Sequence, residues 1–156
     1  FILNFPFGKI FLGDGGAYFI GFLIGVCSVL IVRNHTQVSP WFALVVNIYP
    51  VYETLFSIYR RRILRRRSAM DPDSLHLHTL IYRIFVKQFL KINAPEIRNP
   101  LTSVFLWVLN ASAAVCSILF WDNTKALVIC CAIFCIFYTY LYWKVLSLKS
   151  IELNKS

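Results

Sequence analysis

Apolar residues in this chain gather into four long blocks, residues 17–32, 40–59, 101–121 and 126–145, with polar stretches between them. Each block holds 16 to 21 residues, and a helix needs roughly 20 to cross about 30 Å of hydrocarbon. Gly15 and Gly16 lengthen the first. The pattern predicts an all-α polytopic membrane protein, one membrane domain over residues 1–156. Its four transmembrane helices are expected at about 15–32, 40–59, 101–121 and 126–145, with a loop over 60–100. Pro40 suits the first turn of the second helix, and Pro50 removes a backbone donor and should kink it. Inside the loop, Asp71-Pro72-Asp73 reads as a turn able to cap a helix. From Leu75 onward, Leu77, Leu80, Ile81, Ile84, Phe85 and Ile92 recur at helical spacing, with His76, Thr79, Arg83 and Lys87 on the opposite face. That is an amphipathic helix, either lying on the membrane surface or packed under the bundle.

Composition agrees: 58% of the residues are apolar, above the share of an ordinary soluble domain. The net charge of +9 invites a nucleic-acid partner, but its distribution argues against one. With four alternating spans, fourteen of the sixteen basic residues fall on one side, leaving only Arg33 and Lys125 opposite. By the positive-inside rule both termini and the 60–100 loop are expected in the cytoplasm, which makes the helix after Leu75 a cytoplasmic amphipathic helix. The five cysteines all lie inside the apolar blocks, where thiols pack as small hydrophobes. Gly21 and Gly25 form a GxxxG pair suited to close helix packing, and Asn110 is expected to hydrogen-bond between helices. No initiator Met opens the chain and no signal-peptide layout is present. We therefore expect a fragment of a longer membrane protein.

Candidate chemistry is confined to a few polar residues. Asp14 stands among Gly13, Gly15 and Gly16 at the mouth of the first span. There it either caps the helix or offers a hard oxygen to a cation such as Mg²⁺, commonly held by one or two carboxylates plus substrate phosphates. Glu53 lies inside the second span, about 10 Å of helix from its basic edge. An acid at that depth either binds substrate or meets a structural partner. The arginines from Arg60 onward read as topology determinants and headgroup contacts, with Arg60 and Arg61 able to grip a phosphate. His76 and His78 either face solvent or reach a diphosphate, and alone they do not make a structural zinc site.

Phe11-Leu12-Gly13-Asp14-Gly15-Gly16-Ala17, with Gly21 and Phe22 after it, is similar to a signature of the polyprenyl-phosphate sugar-1-phosphate transferases, glycosyltransferase family 4. So are Ser68 to His78 and the segment Pro50-Val51-Tyr52-Glu53-Thr54 with the arginines after it. The resemblance runs from about Phe5 to Arg83, with three motifs in order; the final hairpin matches in hydropathy only. It implies transfer of a sugar-1-phosphate from a UDP-sugar to polyprenyl (undecaprenyl) phosphate, with release of UMP. The pathways implied are cell-envelope polysaccharide or peptidoglycan precursor synthesis at the inner (plasma) membrane. Asp14 matches the family's metal-binding or catalytic aspartate; His76 and His78 match its histidine motif. Mg²⁺, or Mn²⁺ in its place, is the implied cofactor. Partners are the UDP-sugar, polyprenyl phosphate, membrane lipids and a missing N-terminal half; a homodimer is compatible and nucleic acid is not expected.

Three departures stand out. Thr79 occupies the place of a further histidine, Glu53 that of the usual aspartate, and the family's adjacent aspartate pair does not occur here. The 156 residues alone are therefore predicted to be inactive. Two other classes compete with the enzyme. One is a non-enzymatic membrane scaffold or lipid-binding subunit. The other is a transporter fragment using Glu53 as an ion site, which would leave Asp14 and the histidines unexplained.

Overall fold

A computed structural model describes residues 5, 12–64, 75–91 and 94–153 of the chain. Arg65 to Arg67 and the Asp71-Pro72-Asp73 turn lie outside the described residues, as do Lys9, Phe11 and Ile92. Every regular element described is helical: α1 (Gly13–Asn34), α2 (Pro40–Val46), α3 (Ile48–Tyr59), α4 (Leu77–Leu80), α5 (Pro95–Leu119) and α6 (Thr124–Leu153). Two wider π-helical stretches extend them, Arg60–Leu64 after α3 and Ile81–Phe89 after α4.

Three of these helices, α1, α5 and α6, are long and apolar enough to cross a membrane. The consecutive pair α2 and α3 reaches that length only together, bent by 73°. The expected kink is present, but it falls at Asn47 rather than at Pro50. A proline rejects the carbonyl four residues before it, here that of Val46. The first segment accordingly stops at Val46, and a new one begins at Ile48, placing Pro50 in its first turn, where a missing N–H costs little. Asn47 stitches the break by donating to Ser28 Oγ of α1 at 3.0 Å and to Ala43 O at 2.9 Å. This is the interhelical polar contact expected of Asn110, whose side chain makes no hydrogen bond among the described residues.

The loop entering α2 and the turn entering α6 lie side by side. Ser39 caps α2 by accepting from Trp41 N–H at 3.3 Å, shares a 2.8 Å hydrogen bond with Thr124 Oγ1, and donates its own N–H to Trp121 O at 2.9 Å. From this shared end the two segments run together. Tyr52 Oη meets Thr139 Oγ1 at 2.8 Å and Arg60 meets Tyr142 at 2.9 Å. Tyr142 is eighteen residues beyond Thr124, about 27 Å of helix. The α2–α3 pair therefore traverses the bundle as a broken span, and Arg60 lies at the end opposite Ser39. Asp14, twenty residues before Asn34, is about 30 Å of helix away from that same Ser39 loop.

The amphipathic helix is packed under the bundle. Leu77, Leu80, Ile81, Ile84 and Val86 are at most 4% exposed, turned against α5 and α6, while Arg83 and Lys87 face outwards. A guanidinium–aromatic contact, Arg98 over Tyr82 at 5.3 Å, ties it to the start of α5. Phe56 and Ile48 of α3 with Phe134, Tyr138 and Tyr142 of α6 complete the core. Helix α1 stands apart: apart from Ser28 its side chains are largely exposed, and Cys27 is among them.

Candidate functional site

The best-organised polar cluster is centred on Glu53. One face of α3 and the π-helical turn that extends it carries Glu53, Ser57 and Arg60, at spacings of four and three residues, so the three side chains stack along the helix. Facing them are Tyr138 and Tyr142 of α6, four residues apart, and the segment that starts α4. Glu53 Oε1 accepts from the Leu77 backbone N–H at 3.1 Å and from His76 Nδ1 at 3.0 Å. Tyr138 donates its hydroxyl to Glu53 Oε2. Leu77 N is an obligatory donor, so Oε1 acts as an acceptor towards it, and three polar groups of the chain converge on this one carboxyl group.

These contacts explain how an acid is tolerated at this depth. Placing a carboxylate within a spanning helix costs about 2.5–3.5 kcal/mol on insertion scales. A hydrogen bond to a charged group returns roughly 1.5–3 kcal/mol, so three of them offset that cost. Rings seal the site from the apolar side: Tyr52 stands edge-on to Tyr138 at 5.1 Å and Phe56 edge-on to Tyr142 at 4.9 Å.

His76 is held further by Ser57, whose Oγ lies 3.2 Å from Nδ1. His78 stacks on His76 with ring centroids 5.7 Å apart and planes 12° apart, and is the more exposed of the two. Partial burial, and secondarily the neighbouring His76 ring, push the His78 pKa below the ordinary imidazole value, against an opposing pull from Glu53. Arg60 is buried, donating to Tyr142 Oη and lying over the Tyr142 ring at 5.4 Å. Arg61 is half-buried and turns its Nε to Ser57 O at 3.4 Å.

Of the residues singled out in the sequence, Glu53, His76 and His78 thus come together, with Arg60 and Arg61 on the same helix above them. Asp14 is not part of this cluster. It occupies the first turn of α1 and does not cap it: the N-cap position falls to Leu12, with no side-chain cap. Gly13 enters the helix at φ +71°, a conformation that suits glycine, and an acid in the first turn is favoured by the helix dipole. Asp14 is exposed, and among the described residues no hydrogen bond or ion pair holds it. Tyr138 and Tyr142 were missed by the sequence reading. Their signal was a pair of hydroxyls at i, i+4 in an otherwise apolar helix.

No family model matches the chain, and no solved structure matches it. Curated proteins do. It is 36% identical over 76 residues to a probable undecaprenyl-phosphate N-acetylglucosaminyl 1-phosphate transferase of Bacillus subtilis, covering 48% of this chain and 21% of that protein. A decaprenyl-phosphate N-acetylglucosaminephosphotransferase of Mycolicibacterium smegmatis is 30% identical over 131 residues, 76% of this chain and 30% of the relative. An undecaprenyl-phosphate alpha-N-acetylglucosaminyl 1-phosphate transferase of Haemophilus influenzae is 35% identical over 85 residues, 52% of this chain and 24% of the relative. The chain spans between 21% and 33% of the length of the curated relatives it matches. These proteins are its homologues, and the chain is related to the polyprenyl-phosphate N-acetylglucosamine-1-phosphate transferases, the family its motifs resemble.

Proposed function

We propose that this chain serves a membrane transferase that moves a sugar-1-phosphate from a UDP-sugar to polyprenyl phosphate. The site would face the cytoplasm at the inner membrane. In this reading a phosphate oxygen of the lipid attacks the β-phosphorus of the UDP-sugar. The bond from that phosphorus to the bridging oxygen breaks, UMP leaves with the electron pair, and a lipid-diphosphate-sugar remains. The observation that carries the reading is the ordered histidine motif held on Glu53, in a chain whose relatives are named as polyprenyl-phosphate N-acetylglucosaminyl 1-phosphate transferases.

The chain's own residues divide the work. Asp14 is an open hard-oxygen donor. His76 and His78 offer imidazole edges to phosphate oxygens, and Arg61 supplies positive charge near them. No group of three His, Cys, Asp or Glu side chains able to hold a metal occurs among the described residues, and both Glu53 oxygens are already engaged. A single open carboxylate nevertheless fits Mg²⁺, which takes one or two carboxylates and completes its shell with substrate phosphates and water. Asp14 would hold it, and the ion would neutralise the diphosphate charge that develops on transfer.

The test is a chimaera in which residues 5–83 of this chain, which hold all three motifs, replace the corresponding segment of the Bacillus subtilis relative. UMP release from a UDP-sugar should persist, and Asp14→Asn should lower it at least about a hundredfold, the scale of losing one electrostatic stabiliser. Undiminished turnover in the Asp14→Asn chimaera would remove Asp14 from the mechanism.

A further inference from the structure

Glu53 stands in the second span as an acid whose oxygens are both turned towards the protein itself. We infer that Glu53 is a positioning residue for the histidine motif. Anchored by Tyr138, it fixes His76 as the Nδ1–H tautomer and docks the first N–H of α4, and through the parallel stack it sets the plane of His78. This rests on the reading that the histidines serve the diphosphate, and it assigns Glu53 to their orientation instead of to substrate contact.

The argument is one of donors and acceptors. Among the described residues, His76 Nδ1 is approached by Glu53 Oε1 at 3.0 Å and by Ser57 Oγ at 3.2 Å. Were Nδ1 to carry a lone pair, the Ser57 hydroxyl would satisfy it, but that lone pair would then face a carboxylate oxygen. With Oε1 accepting from Leu77 N–H and Oε2 from Tyr138, a proton on Nδ1 relieves that clash, which leaves Nε2 as the ring nitrogen turned away from Glu53 and Ser57. A carboxylate that holds a histidine by one ring nitrogen and so fixes the chemistry of the other is a recurrent device. The last helix thereby joins the site: Tyr138 of α6 holds the acid that holds the imidazole. The backbone bond to Leu77 adds directional control. His76 and Leu77 are consecutive, and one oxygen grips both, so the ring and the start of α4 cannot turn independently. The 12° angle between the two imidazole planes is the visible result.

The test uses the full chain in lipid bilayers with ¹³C,¹⁵N-labelled histidine, assigning His76 by its loss in His76→Gln. The proposal expects the Nδ1-protonated signature in the wild type. Glu53→Gln keeps an acceptor oxygen and should retain it, whereas Glu53→Leu removes the acceptor and should return His76 to a mixture of tautomers. An Nε2–H form in the wild type, or an unchanged spectrum in Glu53→Leu, would overturn the proposal. The wild-type spectrum decides even if Glu53→Leu does not fold. In the chimaera, Glu53→Leu should lower kcat at least about tenfold with little change in KM for the UDP-sugar, and Glu53→Gln should recover most of it. A tautomer change without any change in turnover would leave Glu53 as the holder of His76 and count against the transferase reading instead.

Discussion

Two acids in this chain occupy opposite physical situations. Glu53 sits deep in a broken span, yet each of its oxygens has a protein partner, drawn from α4 and α6. Asp14 stands at the exposed start of α1 with no partner among the described residues. A carboxylate whose bonding capacity is filled by its own chain organises structure. One left open is available to a ligand. The pair therefore separates a residue that shapes the site from one that can take part in binding, although sequence alone made both look like candidate ligand groups.

That contrast is sharpened first at the packing that surrounds Glu53. Leu77 is fully buried and supplies the N–H that Glu53 accepts. Leu77→Ala should cost about 2–5 kcal/mol, the usual range for a leucine truncated in a core, read from unfolding in mild detergent. The same measurement on Asp14→Asn should move by no more than about 0.5 kcal/mol, as for a surface substitution. Equal losses from the two would erase the distinction.

Tyr138→Phe should come next, at about 1–3 kcal/mol, because a buried acceptor loses one of its donors. At the other end of the bundle, Ser39→Ala removes a helix cap and should cost about 1 kcal/mol. It should leave the histidine spectra unchanged, since Ser39 lies some 27 Å of helix away from Arg60's partner on α6.

The smallest effect concerns His78. Its folded-state pKa lies below the ordinary imidazole value of 6.5, so between the folded and unfolded values the unfolded chain binds more protons. Stability should then rise with pH through that window, be complete above about 6.5, and fall as the solution is acidified. An NMR titration of His78 with a midpoint above 6.5 would contradict the stacked, partly buried geometry.

Much of the fold was legible because spanning helices announce themselves through long apolar blocks. Helix α6 begins two residues before its predicted span. Helix α5 starts at Pro95, six residues earlier than expected, because the first turn of a helix accepts a proline. The amphipathic face of 77–89 was also readable, but its burial was not. The same period fits a lipid surface and a protein core, and only α5 and α6 decide between them. The break at Asn47 escaped because a proline marks where a hydrogen bond is lost, while the chain chooses which earlier residue absorbs the bend. Tyr138 and Tyr142 escaped for a related reason. In an apolar helix a tyrosine reads as hydropathy or an interfacial anchor, and nothing local shows that its hydroxyl meets an acid 85 residues away. The histidine motif was visible as a motif; its support on Glu53 depended on that long-range contact.

The most direct test is whether the open acid and the organised histidines address one ligand. Mn²⁺, a paramagnetic substitute for Mg²⁺, would be added with UDP-N-acetylglucosamine to the histidine-labelled chain in bilayers. The account expects the His76 and His78 resonances to broaden when both are present, and Asp14→Asn to abolish the broadening. Broadening that survives Asp14→Asn, or histidines that never sense the ion, would contradict it.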